Sequence, residues 1–495
     1  MKIPDDRSIY IDGEWRASAS GETFDVVNPA DTRELIARYP RGNAADVDAA
    51  AAAAKAAYPM WRDTPAPQRA EYVRRIGLLL EERIATLADE MSHEMGKTLK
   101  ECRGDIQEGI DFAVYMAGEG RRMFGVTTKS ELRNKFSMTV RHPIGVAGLI
   151  TPWNFPIAIP TWKLFPALVS GCTVVMKPAE DTPVLARRLI EMCDEVGIPK
   201  GVVNFIPGFG PEVGQPIVEH PDIRCISFTG SLAVGKMINQ LGGGLMKRVS
   251  LELGGKNILI VMPDADLDLA VEAAAWGAFA TSGQRCTATS RIAVHGSVKS
   301  DFTERLLKRV NGMRVGPGYV DGVELAPVIN AKQKARILEY IEVGKGEGKL
   351  LTGGHELDTG EHANGNFIAP TVFTDVAPDA RIAQEEIFGP VTAIIDLADV
   401  DDAIRIANST RYGLSCSVYT RDITTTFKAI EQLEFGIVYI NAPTIGAEVG
   451  LPFGGMKSTG NGHREAGPVA LDEFTEWKSV SVDFSGTIQK AQGID

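Results

Sequence analysis

Four times between residues 144 and 241, an apolar, branched run is followed by a segment with a helical pattern. IGVAGLI (144–150), CTVVMKP (172–178), VVNFIPG (202–208) and IRCISFTG (223–230) read as buried strands. IAIPTWKLFPALVSG, TPVLARRLIEMCDEVG, PEVGQPIVEH and SLAVGKMINQL follow them in turn as helices. Strands separated by helices of this length pair as a parallel sheet with crossover connections. Such a sheet takes its ligands beyond the carboxyl ends of its strands.

The alternation resumes after Glu252 with KNILIVM, RIAVHGSV, FTERLLKRVNGM, VTAIIDLA, VDDAIRIANS and SCSVYTRD, which predicts a second α/β unit. Upstream, GNAADVDAAAAAAKAAYPMW is alanine-dense and predicts a helix that stops near Pro59. Residues 68–96 predict a long amphipathic helix closed by Gly96. The tail VALDEFTEWKSVSVDF alternates and predicts an edge strand that pairs elsewhere. No internal repeat and no low-complexity linker stands out.

A chain of 495 residues has room for two or three domains with sizeable cores. Its net charge of −12 argues against nucleic acid or an anionic membrane as a partner, because both need basic surface. No apolar run reaches the length of a membrane span, and the first residues, MKIPDDRSIYIDGEW, do not read as a secretory signal. The six cysteines are scattered, without CxxC or zinc spacing, and suit free thiols in a reducing cytoplasm. The histidines are isolated, so no protein-bound metal is expected.

Three stretches carry chemistry. In SGQRCTATSR (282–291), Cys286 stands among small residues that let a substrate carbon approach. A thiolate is a strong nucleophile, although an arbitrary cysteine is more often a small buried hydrophobe. In LELGGKN (251–257), Glu252 is a carboxylate at an apolar strand end. Desolvation there raises its pKa and suits a general base; the plain alternative is a solvated turn carboxylate. In TPWNFP (151–156), Asn154 lies just past a strand, between prolines and bulky residues. Its amide is a candidate oxyanion donor, worth about 3–4 kcal/mol of barrier; the alternative is an ordinary turn asparagine.

TPWNFP, KPAEDTP, FTGS, LELGGKN, GQRC and EEIFGPV occur in the order and spacing of the aldehyde dehydrogenase superfamily, and the chain resembles it from about residue 10 to 480. The resemblance implies NAD(P)-dependent oxidation of an aldehyde to a carboxylic acid. Cys286 attacks the aldehyde, and Asn154 and the Cys286 N–H hold the oxyanion. A thioester forms, and Glu252 activates the water that hydrolyses it. Lys163 and Glu465 match positions tied to proton relay, with a surface ion pair as the alternative. For the cofactor, Lys177 and Glu180 match adenosine-ribose positions, Ser231 a phosphate position at a helix start, and Glu386 the nicotinamide ribose. Trp153 and Phe388 line the same site. A carboxylate at Glu180 favours NAD over NADP, because a 2′-phosphate meets its charge. The G-x-G-x-x-G fingerprint is absent; GFGPEVG (208–214) is a poor version of it.

For the substrate, Phe155, Trp162 and Phe453 match tunnel-lining positions, and Arg285 is placed to contact an anionic group. The tail NAPTIGAEVGLPFGGMKSTGNGHREAG (441–467) is similar to those of 2-oxoglutarate semialdehyde (2,5-dioxopentanoate) dehydrogenases. Trp162 stands where succinate semialdehyde dehydrogenases carry an arginine. A general aldehyde scavenger, a non-phosphorylating glyceraldehyde-3-phosphate dehydrogenase and, remotely, an inactive binding homologue are the alternatives. The implied fold is α/β, aldehyde dehydrogenase-like. It has a Rossmann-type dinucleotide domain (1–126 and 146–254), an α/β catalytic domain (255–458) and a small β oligomerisation bridge (127–145 and 459–495). The bridge implies a homodimer or homotetramer.

Overall fold

The computed structural model describes residues 8–492. Each apolar run of the first alternation becomes a parallel strand. The seven-stranded sheet runs in the order Arg248–Glu252, Ile223–Thr229, Val146–Ile150, Thr173–Lys177, Val203–Phe205, Ser8–Ile11 and Glu14–Ala17. The first five are parallel, and the last two form an antiparallel edge. The strand order turns back at Val146–Ile150, whose neighbours are Thr173–Lys177 on one side and Ile223–Thr229 on the other. Chains leaving these strands diverge there and open a crevice at their carboxyl ends.

Helices cover both faces. The helix Ala66–Met95 buries Ala70, Val73, Ile76, Leu80, Leu87 and Met91, a stripe at helical spacing, and stops at Gly96 with φ 92°. It packs on the helix Leu99–Glu119, where a Cβ on Gly77 would lie 2.7 Å from Cβ of Ala113. The alanine-rich helix runs over Ala44–Asp63 and does not stop at Pro59. Pro59 lacks an N–H for the carbonyl of Lys55, but both residues are exposed and water can take that carbonyl. PEVGQPIVEH is a π-turn over Gly210–Gly214 followed by the short helix Gln215–Glu219.

The second sheet is also seven-stranded: Lys349–Thr352, Thr371–Thr374, Val391–Leu397, Thr289–His295, Asn257–Val261, Ser415–Tyr419 and Ile437–Ile440. All its pairings are parallel except the first. A third sheet combines Thr127–Lys129, Lys135–Pro143 and Thr475–Asp483. The predicted C-terminal strand begins only at Thr475, because Ala470–Phe474 is a short helix. It pairs along its whole length, from Thr475 opposite Pro143 to Asp483 opposite Lys135.

The two large sheets meet where the site forms. Glu252 ends the edge strand of the first, and Asn257 begins a central strand of the second. The connection between them is four residues long, Leu253-Gly254-Gly255-Lys256. Carboxyl ends of one sheet therefore face amino ends of the other.

Candidate active site

Cys286 lies just before the strand Thr289–His295. Its approach is a turn of three successive left-handed residues, Thr281 (φ 52°), Ser282 (φ 56°) and Gly283 (φ 68°). A branched residue in this region is strained by about 1–2 kcal/mol. Side chains from elsewhere hold it. The N–H of Thr281 donates to Glu101 Oε1 at 2.6 Å, and Ser282 Oγ donates to the carbonyl of Ala326 at 2.5 Å. At Gly283 a Cβ would lie 2.0 Å from the carbonyl oxygen of Gly389, so only glycine fits.

Beyond the turn, the buried Gln284 accepts from the N–H of Ile329 at 2.9 Å. Asn257 Nδ2 donates to the carbonyls of Cys286 (2.7 Å) and Ala288 (2.9 Å), while its Oδ1 accepts from the N–H of Ser415 (3.1 Å). A Cβ on Gly255 would lie 2.6 Å from the Cys286 carbonyl oxygen. The glycine pair of LELGGKN therefore lets the inter-sheet connection pass beneath the nucleophile loop.

Cys286 is partly exposed, and the other five cysteines are buried. With Glu252, Phe155, Trp162, Arg285, Phe453 and Glu465 it lines one cavity. Desolvation pushes its thiol up, and the carboxyls of Glu386, Glu252, Glu465 and Glu108 push it further. Glu252 is buried and neither carboxyl oxygen has a hydrogen-bond partner. Its pKa stands well above the usual carboxylate range, first through desolvation and then through Glu465. The solvated-turn alternative for Glu252 is thereby excluded. A Cβ on Gly454 would lie 2.4 Å from Glu252 Oε1, so that glycine leaves the space the carboxyl occupies.

Asn154, on the turn after Val146–Ile150, donates from Nδ2 to the carbonyl of Gln284 at 3.1 Å. This ties the first sheet to the nucleophile loop and leaves the second amide hydrogen available. Lys163 and Glu465 form an ion pair, and Lys163 Nζ also donates to Ser227 Oγ at 2.8 Å. Their side chains are 0 % and 2 % exposed, so the surface-pair alternative is wrong: the helix Ala158–Ser170 points Lys163 into the interior.

The aromatic positions cluster. Trp162 meets Phe453 edge-on with ring centres 5.0 Å apart. Phe155 has two cations near its ring, Lys97 Nζ at 3.6 Å and the Arg285 guanidinium at 5.2 Å from its centre. Arg285 also donates to Thr281 Oγ1 at 2.9 Å and stands 3.7 Å from Glu101. Glu108 shares the cavity wall; burial pushes its pKa up to about 8.

The remaining positions surround the crevice at the carboxyl ends of the first sheet. Trp153 and Phe388 pack edge-on at 5.3 Å. Lys177 ends its strand buried, donates to the carbonyl of Pro178 at 2.7 Å and stands 3.4 Å from Glu180. Burial lowers its pKa. Ser231 caps the helix Leu232–Gly244. Glu386 accepts from the N–H of Gly255 at 3.0 Å, and burial raises it to about 6. A Cβ on Gly254 would lie 2.2 Å from its Oε2. Acceptors for ribose hydroxyls, a helix N-terminus and an aromatic pair around one crevice fit a dinucleotide. Among the described residues no group of three or more His, Cys, Asp or Glu is arranged to hold a metal, and no helix is long and apolar enough to cross a membrane.

Glu101, Asn257, Gln284 and Glu108 take part in the site without having been singled out in the sequence. Asn257 is the last residue of LELGGKN, and Glu101 closes the capping box Thr98-x-x-Glu101; both signals were present. Gln284 lies inside the GQRC motif, and nothing in the sequence marks Glu108.

Known proteins place the chain. A model of the aldehyde dehydrogenase family matches residues 15–480. The chain is 42% identical to an alpha-ketoglutaric semialdehyde dehydrogenase of Bacillus subtilis, over 96% of this chain and 97% of the relative. It is 41% identical to a 2,5-dioxopentanoate dehydrogenase of Saccharolobus solfataricus, over 93% and 96%. It is 44% identical to human retinaldehyde dehydrogenase 3, over 96% and 92%. Betaine aldehyde dehydrogenase of Staphylococcus aureus, solved with NAD+, superposes with a TM-score of 0.95 at 36% identity, covering 98% of this chain and 96% of that one. Sequence over nearly the full length and fold agree: the chain belongs to the aldehyde dehydrogenase family.

Proposed function

We propose that this aldehyde dehydrogenase oxidises a small oxo-acid semialdehyde, 2-oxoglutarate semialdehyde, to the dicarboxylic acid with NAD, through a thioester on Cys286. The observation that carries the reading is that Cys286, the one cysteine with access, shares a cavity with a buried, unpartnered carboxyl, Glu252. The resting thiol is protonated, and Glu252 is the carboxyl in position to take its proton as sulfur bonds to the aldehyde carbon. The second amide hydrogen of Asn154 and the N–H of Cys286 hold the oxygen that becomes negative. Trp153, Lys177, Glu180, Ser231, Glu386 and Phe388 would hold the dinucleotide, which would supply the hydride acceptor for that carbon. Glu252 then removes a proton from water, which attacks the thioester carbon and releases the acid. The Lys163–Glu465 pair carries protons away from Glu252.

Phe155, Trp162 and Phe453 form the apolar wall, and Arg285 takes the substrate carboxylate. One relative is named for alpha-ketoglutaric semialdehyde and another for 2,5-dioxopentanoate, and the tail motif agrees with them. The retinaldehyde relative is equally similar, so a broader aldehyde range is the second reading. A panel of 2,5-dioxopentanoate, succinate semialdehyde, glyceraldehyde 3-phosphate and hexanal, each with NAD and with NADP, decides. The highest kcat/KM is expected for 2,5-dioxopentanoate with NAD. Equal or faster oxidation of hexanal would replace this substrate with a general one.

The division into 1–126 with 146–254, 255–458, and 127–145 with 459–495 is supported by the sheets, none of which crosses these boundaries. The outer side of Thr475–Asp483 is an edge, which supports a homodimer or homotetramer. Free cysteines support a cytoplasmic location.

A further inference from the structure

The helix Leu99–Glu119 carries three acids, Glu101, Asp105 and Glu108, at spacings of four and three that place them on one face. Two of them are engaged. The carboxyl of Glu101 accepts from Thr98 Oγ1 at 2.9 Å and from the N–H of Thr281 at 2.6 Å. Asp105 pairs with Lys97 Nζ at 2.8 Å and accepts from the N–H of Ala158 at 2.7 Å. Glu108 has no hydrogen-bond or ion-pair partner among the described residues.

Its position gives that carboxyl a use. The cavity at Cys286 is small, about 70 Å3. Three residues of its wall, Glu108, Phe155 and Arg285, also line a wider groove of about 680 Å3. They form the neck between the two, and an aldehyde entering from the groove passes them. An extended five-carbon chain spans about 5 Å between its end carbons. With its aldehyde carbon at the sulfur of Cys286, the other end of such a chain lies in this neck.

At neutral pH the Glu108 carboxyl holds its proton. Burial raises it to about 8, with Asp105 and Asp111 of the same helix adding to the rise and Arg285 and Lys97 opposing it. Tyr439, on the strand Ile437–Ile440, and Cys286 also face it, and burial keeps both uncharged. The neck therefore offers a guanidinium and a carboxyl O–H, two donors for two acceptors. In 2-oxoglutarate semialdehyde the acceptors are neighbours: the carboxylate and, on the next carbon, the ketone oxygen. An alkyl tail offers neither and desolvates both donors without replacement, which is how a polar site rejects an apolar competitor. A cationic tail meets the charge of Arg285.

We propose that Glu108 selects for the 2-oxo group of the substrate: its carboxyl donates a hydrogen bond to that oxygen while Arg285 takes the adjacent carboxylate. This rests on the reading of the substrate as an oxo-acid semialdehyde and assigns the residue that tells such a substrate from a simple semialdehyde.

The test compares 2,5-dioxopentanoate with 5-oxopentanoate, which has the same chain and carboxylate and lacks only the 2-oxo oxygen. The ratio of their kcat/KM values is read within one preparation, so a partly folded variant does not distort it. In the parent at pH ~7 the ratio is expected to favour the oxo acid about tenfold or more. Glu108→Leu is expected to bring it near one. Glu108→Gln, which keeps an N–H donor, is expected to retain most of the preference. The pH profile supplies a readout that packing does not move. Ionised Glu108 has no O–H and repels the carboxylate, so the parental ratio is expected to fall as pH rises through about 8, and that of Glu108→Gln to stay level. Groups that titrate in the chemical steps act on both substrates and cancel. A parental ratio near one, a ratio unchanged in Glu108→Leu, or a parental ratio level through this range overturns the proposal. Hexanal separates the two readings. If both semialdehydes far outrun hexanal while the ratio ignores Glu108, only the role of Glu108 falls. If hexanal is oxidised as fast as either, the substrate reading falls and takes Glu108 with it.

Discussion

Asn257 Nδ2 stands 2.7 Å from the carbonyl oxygen of Cys286 and donates to it. The same amide holds Ala288, and its oxygen is engaged by Ser415, so its orientation is fixed at both ends. The reactive sulfur is positioned through its own backbone, from a strand of the second sheet.

Asn257→Ala leaves two buried carbonyls and one buried N–H without a partner. Each such group costs about 1–3 kcal/mol. The expected result is a lower melting temperature together with a slower burst, read by thermal denaturation and stopped-flow absorbance. A variant with parental burst rate would show that the loop needs no such tether.

Cys286→Ala is expected to abolish aldehyde oxidation while NAD affinity and melting temperature stay near those of the parent. In the parent, Cys286 is partly exposed and the other cysteines are buried. Brief alkylation under native conditions is therefore expected to label Cys286 alone, as read by peptide mass spectrometry. Labelling of Cys172 or Cys225 at a comparable rate would contradict that burial.

Glu252→Gln is expected to give one burst of reduced cofactor and then stall with the thioester intact, detectable by mass. In the parent, the steady-state rate should rise with pH through the raised pKa of Glu252, so its acid limb lies above the ordinary carboxylate range. A limb near pH ~4 would mean that Glu252 is not the group titrating.

Glu108 gains its negative charge only as pH passes about 8, and that charge lies near the Cys286 thiol. Glu108→Gln removes it, so the thiolate forms more readily. Alkylation of Cys286 at about pH 9 is expected to be several-fold faster in the variant and unchanged at about pH 6. Stability moves in a related way. A carboxyl whose folded pKa is raised stabilises the fold below its unfolded pKa, and that contribution is lost as pH rises through about 8. The variant should gain on the parent in melting temperature across this range.

Much of this was legible in the sequence. The central strands of both sheets are apolar enough to announce themselves, whereas edge strands such as Glu14–Ala17 and Lys349–Thr352 are not, and the helix Ala66–Met95 carries an apolar stripe and a glycine stop. Motifs near Cys286, Glu252 and Asn154 are local, so resemblance transfers them residue by residue. What escaped depends on distant contacts. Leu267–Phe279 is apolar nearly all round, and Leu99–Glu119 carries many charges, so neither advertises a helix by its pattern. Gln284 stands in a quoted motif, but its bond to Ile329 is set by the fold, and Glu108 matters only because the fold brings Arg285 beside it. Pro59 misled because a proline on an exposed helix face costs less than its local rule suggests.

The left-handed turn before Cys286 is secured by Glu101 and Ala326 and passes close against Gly389, residues far apart in the chain, while Asn154 and Asn257 hold the backbone from Gln284 to Ala288. No one segment can shape it alone. During synthesis the thiol emerges long before Gly389 does, and it stays unaimed until the last of these partners arrives. Competence is therefore a late event in the life of each molecule, and a truncated or half-folded chain carries the reactive atom without the means to use it.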